Sequence, residues 1–140
     1  MSKTLKLFLI RHAPVKRLQG CVPKYNPDAL IDSEHLKILA SQIPADSTCF
    51  VSPLKRAIQT SEVLANYADF REVIIDNNLE EQNFGTWEGK KISLVWDELK
   101  KSRNQHNFSF FCPETCPPKG ESYLDQCERV RSFIEKIKFK

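Results

Sequence analysis

The sequence lacks several features that would assign it to a broad class of proteins. Its first apolar run ends after a few residues at Arg11 and His12, so we expect neither a signal peptide nor a membrane-spanning helix. A net charge of +3 is too small to indicate a nucleic-acid-binding surface. The five cysteines are an odd number and, without a secretory signal, they disfavour a disulfide framework. We therefore expect a cytoplasmic protein with free thiols.

The sequence also lacks internal repeats, low-complexity tracts and a complete metal-binding motif. Cys112 and Cys116 form a C-x3-C pair, but no second pair of ligands lies at a spacing typical of zinc sites. What is present is enough apolar material, 41% of the residues, to build one core. We expect a single domain over residues 1–140.

Short apolar segments alternate with segments whose apolar residues recur at helical spacing. The apolar segments predict three buried strands, at residues 6–10, 48–51 and 73–75. The periodic segments predict four helices, at residues 33–42, 53–67, 92–101 and 123–138. The alternation predicts an α/β fold, a three-layer sandwich with a largely parallel sheet flanked by helices. Ligands of such folds bind at the carboxyl ends of the strands, where Arg11, His12 and Ser52 fall.

Arg11 and His12 directly follow the first predicted strand. An Arg guanidinium is a planar fork that matches phosphate oxygens, and a neutral histidine can attack phosphorus through its unprotonated nitrogen. Taken alone, the pair favours the interpretation of an exposed strand end, because surface Arg and partly exposed His are common.

Arg56 lies in the first turn of the second predicted helix, within residues 52–60 (SPLKRAIQT). Ser52 is predicted to cap this helix and Pro53 to occupy its first position. The preceding strand ends almost directly at the cap, so the free amides of the helix face the same crevice, as in many anion sites. The alternative is an ordinary exposed helical Arg.

A third segment, residues 79–89 (LEEQNFGTWEG), combines acidic and aromatic residues. A carboxylic acid against an apolar wall can have its pKa raised enough to donate a proton to a leaving oxygen, and Phe84 and Trp87 are candidates for that wall. The alternative is an acidic surface loop whose aromatic residues pack in the core.

Taken together and in this order, the segments resemble the histidine phosphatase superfamily, also called the phosphoglycerate mutase-like superfamily. Residues 9–13 (LIRHA), 52–60 and 81–89 each resemble one of its signatures, and residues 118–122 (PKGES) resemble the start of the helix before its last catalytic strand. The resemblance covers almost the whole chain. It implies a phosphoglycerate mutase-like fold and a phosphomonoesterase that acts on a small phosphorylated metabolite without a metal or other cofactor.

The resemblance also implies roles for four residues. His12 would be the nucleophile that becomes phosphorylated, and Arg11 and Arg56 would bind the phosphoryl oxygens. Glu81 would protonate the leaving alcohol and then help to activate water. Glu81 is preferred to Glu80 because the acid of the family stands three residues before the aromatic residue of its Phe-Gly or Tyr-Gly pair.

The second histidine of the family pattern is missing. In the family it ends a strand that follows the Gly-Glu-Ser helix and pairs beside the first strand. The other histidines here, His35 and His106, lie in a predicted helix and in a polar stretch, and neither is followed by glycine. We therefore expect residues 6–10 to have an unpaired edge. Either the gene product is longer, or the protein is degenerate, or a partner chain completes the sheet, as a homodimer would.

Three hypotheses of function remain open at this stage. The chain is a phosphomonoesterase, or a catalytically impaired remnant that binds phosphate esters through Arg11 and Arg56 without turnover, or an interaction domain that recruits a protein partner. A narrower resemblance, carried by residues 11–15 and 20–25, is to the enzymes that dephosphorylate α-ribazole phosphate.

Overall fold

The computed structural model describes residues 5–101 and 112–138. In chain order, its helices and strands are α1 (Ser33–Ala40), β1 (Ser47–Val51), α2 (Lys55–Ala65), β2 (Phe70–Ile75), α3 (Ile92–Lys100) and α4 (Tyr123–Lys138). The fold is α/β with a parallel sheet, which confirms the predicted class.

The chain divides into two compact units, each built from separate stretches of sequence. The first unit comprises Met1–Lys16, Asn26–Glu80 and Ser132–Lys140, and the second comprises Arg17–Tyr25 and Glu81–Arg131. The sheet lies in the first unit. None of the helices within the described ranges combines the length and the apolarity needed to span a membrane.

Helix α1 begins at Ser33, directly after its cap residue Asp32. The carboxylate of Asp32 accepts a hydrogen bond from the backbone N–H of His35 at 3.2 Å, which satisfies one of the free donors of the first turn. Leu36 and Ala40 are buried four residues apart on one face, where they form the core of the first unit with Leu64 of α2. The helix predicted at residues 33–42 is confirmed.

Strands β1 and β2 pair in parallel, with Phe50 opposite Ile74 and Val51 opposite Ile75. The two strands predicted at residues 48–51 and 73–75 are therefore confirmed, although β2 begins earlier, at Phe70. β1 ends at Val51 directly before the turn into α2, so the carboxyl end of this strand leads into the first turn of that helix.

Helix α2 begins later than the sequence predicts. Its first residue is Lys55, and its cap residue, Leu54, makes no side-chain hydrogen bond. The acceptor comes instead from Asn26, whose side-chain oxygen accepts the backbone N–H of Lys55 at 2.7 Å. The prediction that Ser52 and Pro53 open the helix is wrong, because a residue distant in sequence supplies the acceptor that the first turn needs.

Residues 5–10 form no strand, so the first predicted strand is wrong. Within residues 5–101 and 112–138 the sheet has two strands, and neither pairs with this segment. Its apolar side chains are exposed, most of all Leu9, which retains 93% of its accessible surface. A lone strand leaves its backbone groups without partners, so an apolar run becomes a strand only beside a neighbour that supplies them. We expected a strand with one unpaired edge, whereas this segment pairs with no strand in the part of the chain that the structure describes.

The second unit has a core of its own, formed by Val22, Trp87, Val95 and Leu99. Helix α3 supplies Val95 and Leu99, which lie four residues apart and therefore share one face of the helix. The helix predicted at residues 92–101 is confirmed.

Helix α4 is confirmed over the predicted residues 123–138, and its first turn is fixed by a reciprocal pair. The hydroxyl and the backbone N–H of Ser122 both donate to the Asp125 carboxylate, at 2.7 and 2.9 Å, while the N–H of Asp125 donates to the Ser122 hydroxyl at 3.1 Å. This capping box satisfies donors that a helix end leaves free. The hydrogen bonds from Ser122 also lower the pKa of Asp125.

The last two turns of α4 belong to the first unit. There the ring of Phe133 meets the ring of Phe50 edge to face, with centroids 5.1 Å apart. The ammonium group of Lys136 donates to the buried carboxylate of Asp76 at 2.8 Å, directly after β2. This hydrogen bond, together with one from the N–H of Asn78, lowers the pKa of Asp76.

Candidate active site

The two ring nitrogens of His12 have different partners. Nδ1 lies 2.6 Å from the carbonyl oxygen of Ala13, and Nε2 lies 3.1 Å from Nε of Arg56. A carbonyl can only accept a hydrogen bond and a guanidinium can only donate one, so Nδ1 carries the ring proton and Nε2 carries the lone pair. These partners assign the tautomer in which the unprotonated Nε2 faces a cation.

Arg56 is brought to His12 by helix α2. It is the second residue of the helix and is 4% exposed, so its guanidinium is held in place by its surroundings. An arginine remains charged when it is buried, and its fork can bind two oxygens of one phosphoryl group. The positive end of the α2 dipole lies in the same turn and favours an anion at the same position.

Thr60 fixes the main chain beside His12, a role that the sequence analysis missed. Its buried hydroxyl donates to the carbonyl oxygen of Arg56 at 2.6 Å and accepts the backbone N–H of Ala13 at 2.9 Å. Helical threonines commonly donate to the carbonyl four residues earlier, and the hydroxyl oxygen can still accept. A Thr four residues after the Arg of the motif is the signal from which this contact could have been expected.

The chain after the histidine is tied down at further points. The carbonyl oxygen of Pro14 accepts the N–H of Leu30 at 2.6 Å, and Val15 forms an antiparallel bridge with Ala29. The side-chain oxygen of Gln59 in α2 accepts the N–H of Ala29 at 2.7 Å. Helix α2 thus fixes residues 13–15 both directly and through residues 29–30.

Three of the four predicted site residues lie in the first unit. The structure brings His12 and Arg56 into direct contact, and Arg11 is exposed next to His12 in the chain. Glu81 is exposed and belongs to the second unit, whereas the rejected candidate Glu80 is half-buried and belongs to the first. The role of Glu81 stays a prediction.

The aromatic residues expected to form a wall for Glu81 belong to the core of the second unit. Trp87 is 4% exposed within that core, and Phe84 packs against it. This placement agrees with the alternative interpretation of the segment, in which its acidic residues are on the surface and its aromatics are internal.

Among the described residues, the other histidine and the cysteines have no contact with His12 or Arg56 in the hydrogen bonds found at the site. His35 is exposed on α1, and His106 lies outside the described residues. Cys112 and Cys116 are not joined in a disulfide bond. In the part of the chain that the structure describes, no group of three or more His, Cys, Asp or Glu side chains is arranged to hold a metal ion.

Comparison with known proteins extends over almost the whole chain. Residues 7–140 match the model of the histidine phosphatase superfamily (branch 1). Fructose-2,6-bisphosphatase TIGAR B of Danio rerio is 33% identical over 91 residues, and a bifunctional protein of Mycobacterium tuberculosis is 34% identical over 86 residues. The solved structures of similar fold include the alpha-ribazole phosphatase from Shigella flexneri (TM-score 0.68, 24% identity) and a mycobacterial glucosyl-3-phosphoglycerate phosphatase (TM-score 0.69, 18% identity).

The chain is shorter than each of these proteins. The two sequence alignments take up 63% and 61% of this chain but only 33% and 22% of the relatives. The two structural alignments take up 91% and 90% of this chain and 64% and 60% of the solved chains. At these identities the structural likeness shows a shared fold.

Proposed function

The chain belongs to the histidine phosphatase superfamily (branch 1), and from this premise we propose that it hydrolyses a phosphomonoester of a small metabolite through a phosphohistidine on His12. The observation that carries the proposal is the assignment of the two ring nitrogens. Phosphoryl transfer to histidine requires a nitrogen lone pair in a fixed direction, and Nε2 of His12 has one because Nδ1 donates to the carbonyl of Ala13.

In the first step of this reaction, Nε2 of His12 attacks phosphorus and the bond from phosphorus to the ester oxygen breaks. The leaving oxygen takes the electron pair of that bond, and Glu81 supplies its proton. In the second step a water molecule attacks the phosphorus, its proton passes to the Glu81 carboxylate, and the electron pair of the phosphorus–nitrogen bond returns to His12. Arg11 and Arg56 bind the phosphoryl oxygens in both steps, where negative charge is spread over them.

The contact between Arg56 and His12 has a consequence for substrate binding. Without a ligand, Nε of Arg56 donates to the same lone pair that must attack phosphorus. A phosphoryl group carries oxygens that accept from a guanidinium more strongly than an imidazole nitrogen does, because they are charged. Substrate binding therefore transfers the donor from His12 to the phosphate and releases the lone pair when it is needed.

A second candidate function is binding of phosphate esters without turnover. The observation that favours it is that His35 is the only histidine besides His12 among residues 5–101 and 112–138, and it is exposed on α1. The phosphoryl group would then be held by Arg11, Arg56 and the helix terminus, without the second histidine of the family pattern.

The decisive experiment compares the wild type with His12→Ala and with a matched control, His35→Ala. The proposal expects p-nitrophenol release from p-nitrophenyl phosphate and an acid-labile phosphate label in the wild type and in His35→Ala. Turnover by His12→Ala should fall by at least about 10³-fold, and its label should vanish. Equal turnover by His12→Ala would refute the proposal, and calorimetric binding of phosphate without turnover or label in the wild type would select the second candidate.

Release of inorganic phosphate, measured for each candidate ester, addresses the substrate. We propose α-ribazole phosphate as the first substrate to test, because residues 11–15 and 20–25 resemble the enzymes that act on it. Fructose 2,6-bisphosphate is the second, because it is named for the zebrafish relative. A kcat/KM above that for p-nitrophenyl phosphate would mark the physiological class, and equal values for all three would contradict both assignments.

A further inference from the structure

The segment that follows Glu81 is fixed by another segment of the second unit, residues 117–121. The backbone N–H of Glu121 donates to the carbonyl oxygen of Asn83 at 2.9 Å, and the side-chain amide of Gln82 donates to the carbonyl oxygen of Glu121 at 3.0 Å. The carboxylate of Glu121 in turn accepts the N–H of Asn83 at 3.1 Å. Three hydrogen bonds to one residue thus hold the two positions that follow Glu81.

The carboxylate of Glu121 is itself fixed by Arg129. Nε of Arg129 lies 3.0 Å from Oε2 of Glu121, and Nη2 lies 2.5 Å from Oε1, the oxygen that accepts the N–H of Asn83. Both side chains are only 20% exposed, so water competes little for these contacts. A bidentate guanidinium fixes the plane of a carboxylate, and here it directs one oxygen at the backbone next to Glu81.

Two glycines allow the segments to approach closely. A Cβ on Gly120 would collide with the carbonyl oxygen of Asn83, and a Cβ on Gly85, which has a φ of +50°, would collide with the carbonyl oxygen of Pro118. The N–H of Thr86 donates to that same oxygen at 2.9 Å. The backbones therefore cross in direct contact, and a shift of one moves the other.

The start of α4 fixes the other side of Glu121. Ser122, the next residue, forms the capping box with Asp125, and Arg129 follows one turn later on the same helix. Helix α4 therefore carries the cation that holds Glu121, and its cap sets the direction in which the chain leaves Glu121.

We propose that Glu121 and Arg129 are positioning residues that orient Glu81 for proton transfer. The inference rests on the proposed role of Glu81 as the acid. It adds Glu121 and Arg129, which have no part in the proposed reaction itself. Glu121 and Arg129 act through the main chain of residues 82–83, which sets the direction of the preceding residue. Misplacement of a catalytic group by about 1 Å can cost about 100-fold in rate.

The test uses two substrates that differ in their need for an acid. An alkyl alkoxide, as in glycerol phosphate, leaves only with a proton, whereas p-nitrophenolate leaves without one. Glu121→Gln should therefore lower kcat/KM, which reports formation of the phosphohistidine and not its hydrolysis, by about 100-fold for glycerol phosphate and by less than about 3-fold for p-nitrophenyl phosphate. The inhibition constant of inorganic phosphate should stay the same, because the proposed phosphate ligands Arg11 and Arg56 lie in the other unit.

Three further variants separate positioning from general damage. Arg129→Lys keeps the charge and one donor, so it should restore part of the loss seen for Arg129→Ala. Glu98→Gln is the matched control, since it removes an ion pair of the same unit, with Lys90 at 2.7 Å, that does not contact residues 81–85. Its kcat/KM should equal that of the wild type with both substrates.

Glu81→Gln decides between the failure of the inference and the failure of the proposed function. The same dependence on the leaving group in Glu81→Gln and Glu121→Gln, with no further loss in the double variant, supports the inference. Dependence in Glu81→Gln alone, or an equal loss with both substrates in Glu121→Gln, overturns the inference and leaves the function. No dependence in Glu81→Gln, or a wild type without turnover, removes the role of Glu81 and the inference with it.

Discussion

The stretches on either side of Arg11 differ sharply in how they are held. Residues 5–10 are mostly apolar and exposed, with Leu9 at 93% of its accessible surface, and they pair with no strand among residues 5–101 and 112–138. The residues after Arg11 are tied down one by one, His12 to Arg56, Ala13 to Thr60 and Val15 to Ala29. The order of the candidate nucleophile thus comes from helix α2 and the hydrogen bonds around it, and the apolar run before it contributes little.

The largest effect is expected from removing the cation that faces His12. Arg56→Ala should lower kcat/KM for p-nitrophenyl phosphate by about 10²- to 10³-fold, because it deletes a fixed charge at the transferring phosphoryl group. The kcat/KM of Arg56→Lys should lie between those of the wild type and Arg56→Ala, since an ammonium group keeps the charge but lacks the fork of donors. Arg71→Ala, an exposed arginine on β2, is the control. Wild-type kinetics in Arg56→Ala would show that α2 does not supply the phosphate site.

A smaller effect is expected from cutting the hydrogen bond between Ala13 and α2. Thr60→Val keeps the shape of the side chain but leaves the buried N–H of Ala13 without an acceptor, which should cost about 1–3 kcal/mol of unfolding free energy in urea. Thr60→Ser keeps the hydroxyl and should cost about 1 kcal/mol for the lost methyl group. If the Val variant is as stable as the Ser variant, the main chain beside His12 is held by other contacts.

The smallest effect is expected before Arg11. Leu9→Ala should change the unfolding free energy by no more than about 0.5 kcal/mol, because the Leu9 side chain is almost fully exposed and buries little apolar surface. The same substitution at Leu36, which is 3% exposed in the core of the same unit, should cost about 2–5 kcal/mol. Equal losses in the two variants would mean that residues 5–10 pack in solution, and the contrast between the two stretches would disappear.

The sequence predicted the elements whose signals are local. The apolar spacing of α1, α3 and α4 and the apolar runs of β1 and β2 are all contained within short windows. The start of α2 was predicted wrongly because Asn26 provides its acceptor from 29 residues away. The first strand was predicted wrongly because a strand depends on a neighbour, and the composition of residues 6–10 does not show whether that neighbour exists.

The candidate site was predicted to a similar extent. The motif residues His12 and Arg56 were singled out from sequence, and the structure brings them within 3.1 Å of each other. Thr60 was not singled out from the sequence, because its role depends on the backbone N–H of Ala13, which lies 47 positions earlier. Glu121 belongs to the motif at residues 118–122. Its hydrogen bonds to residues 82–83 became visible only in the structure, where these two segments lie against each other.

The division of α4 between the two units bears on the order in which the chain can fold. Phe133 and Lys136 supply contacts to Phe50 and Asp76, and the second of these pairs spans 60 positions. The first unit therefore gains these contacts only when residues 132–138 have been synthesised. The second unit needs nothing beyond residue 131, so its core can close first although much of the first unit precedes it. Assembly of the first unit then depends on pairs that are distant in sequence, a feature that slows folding.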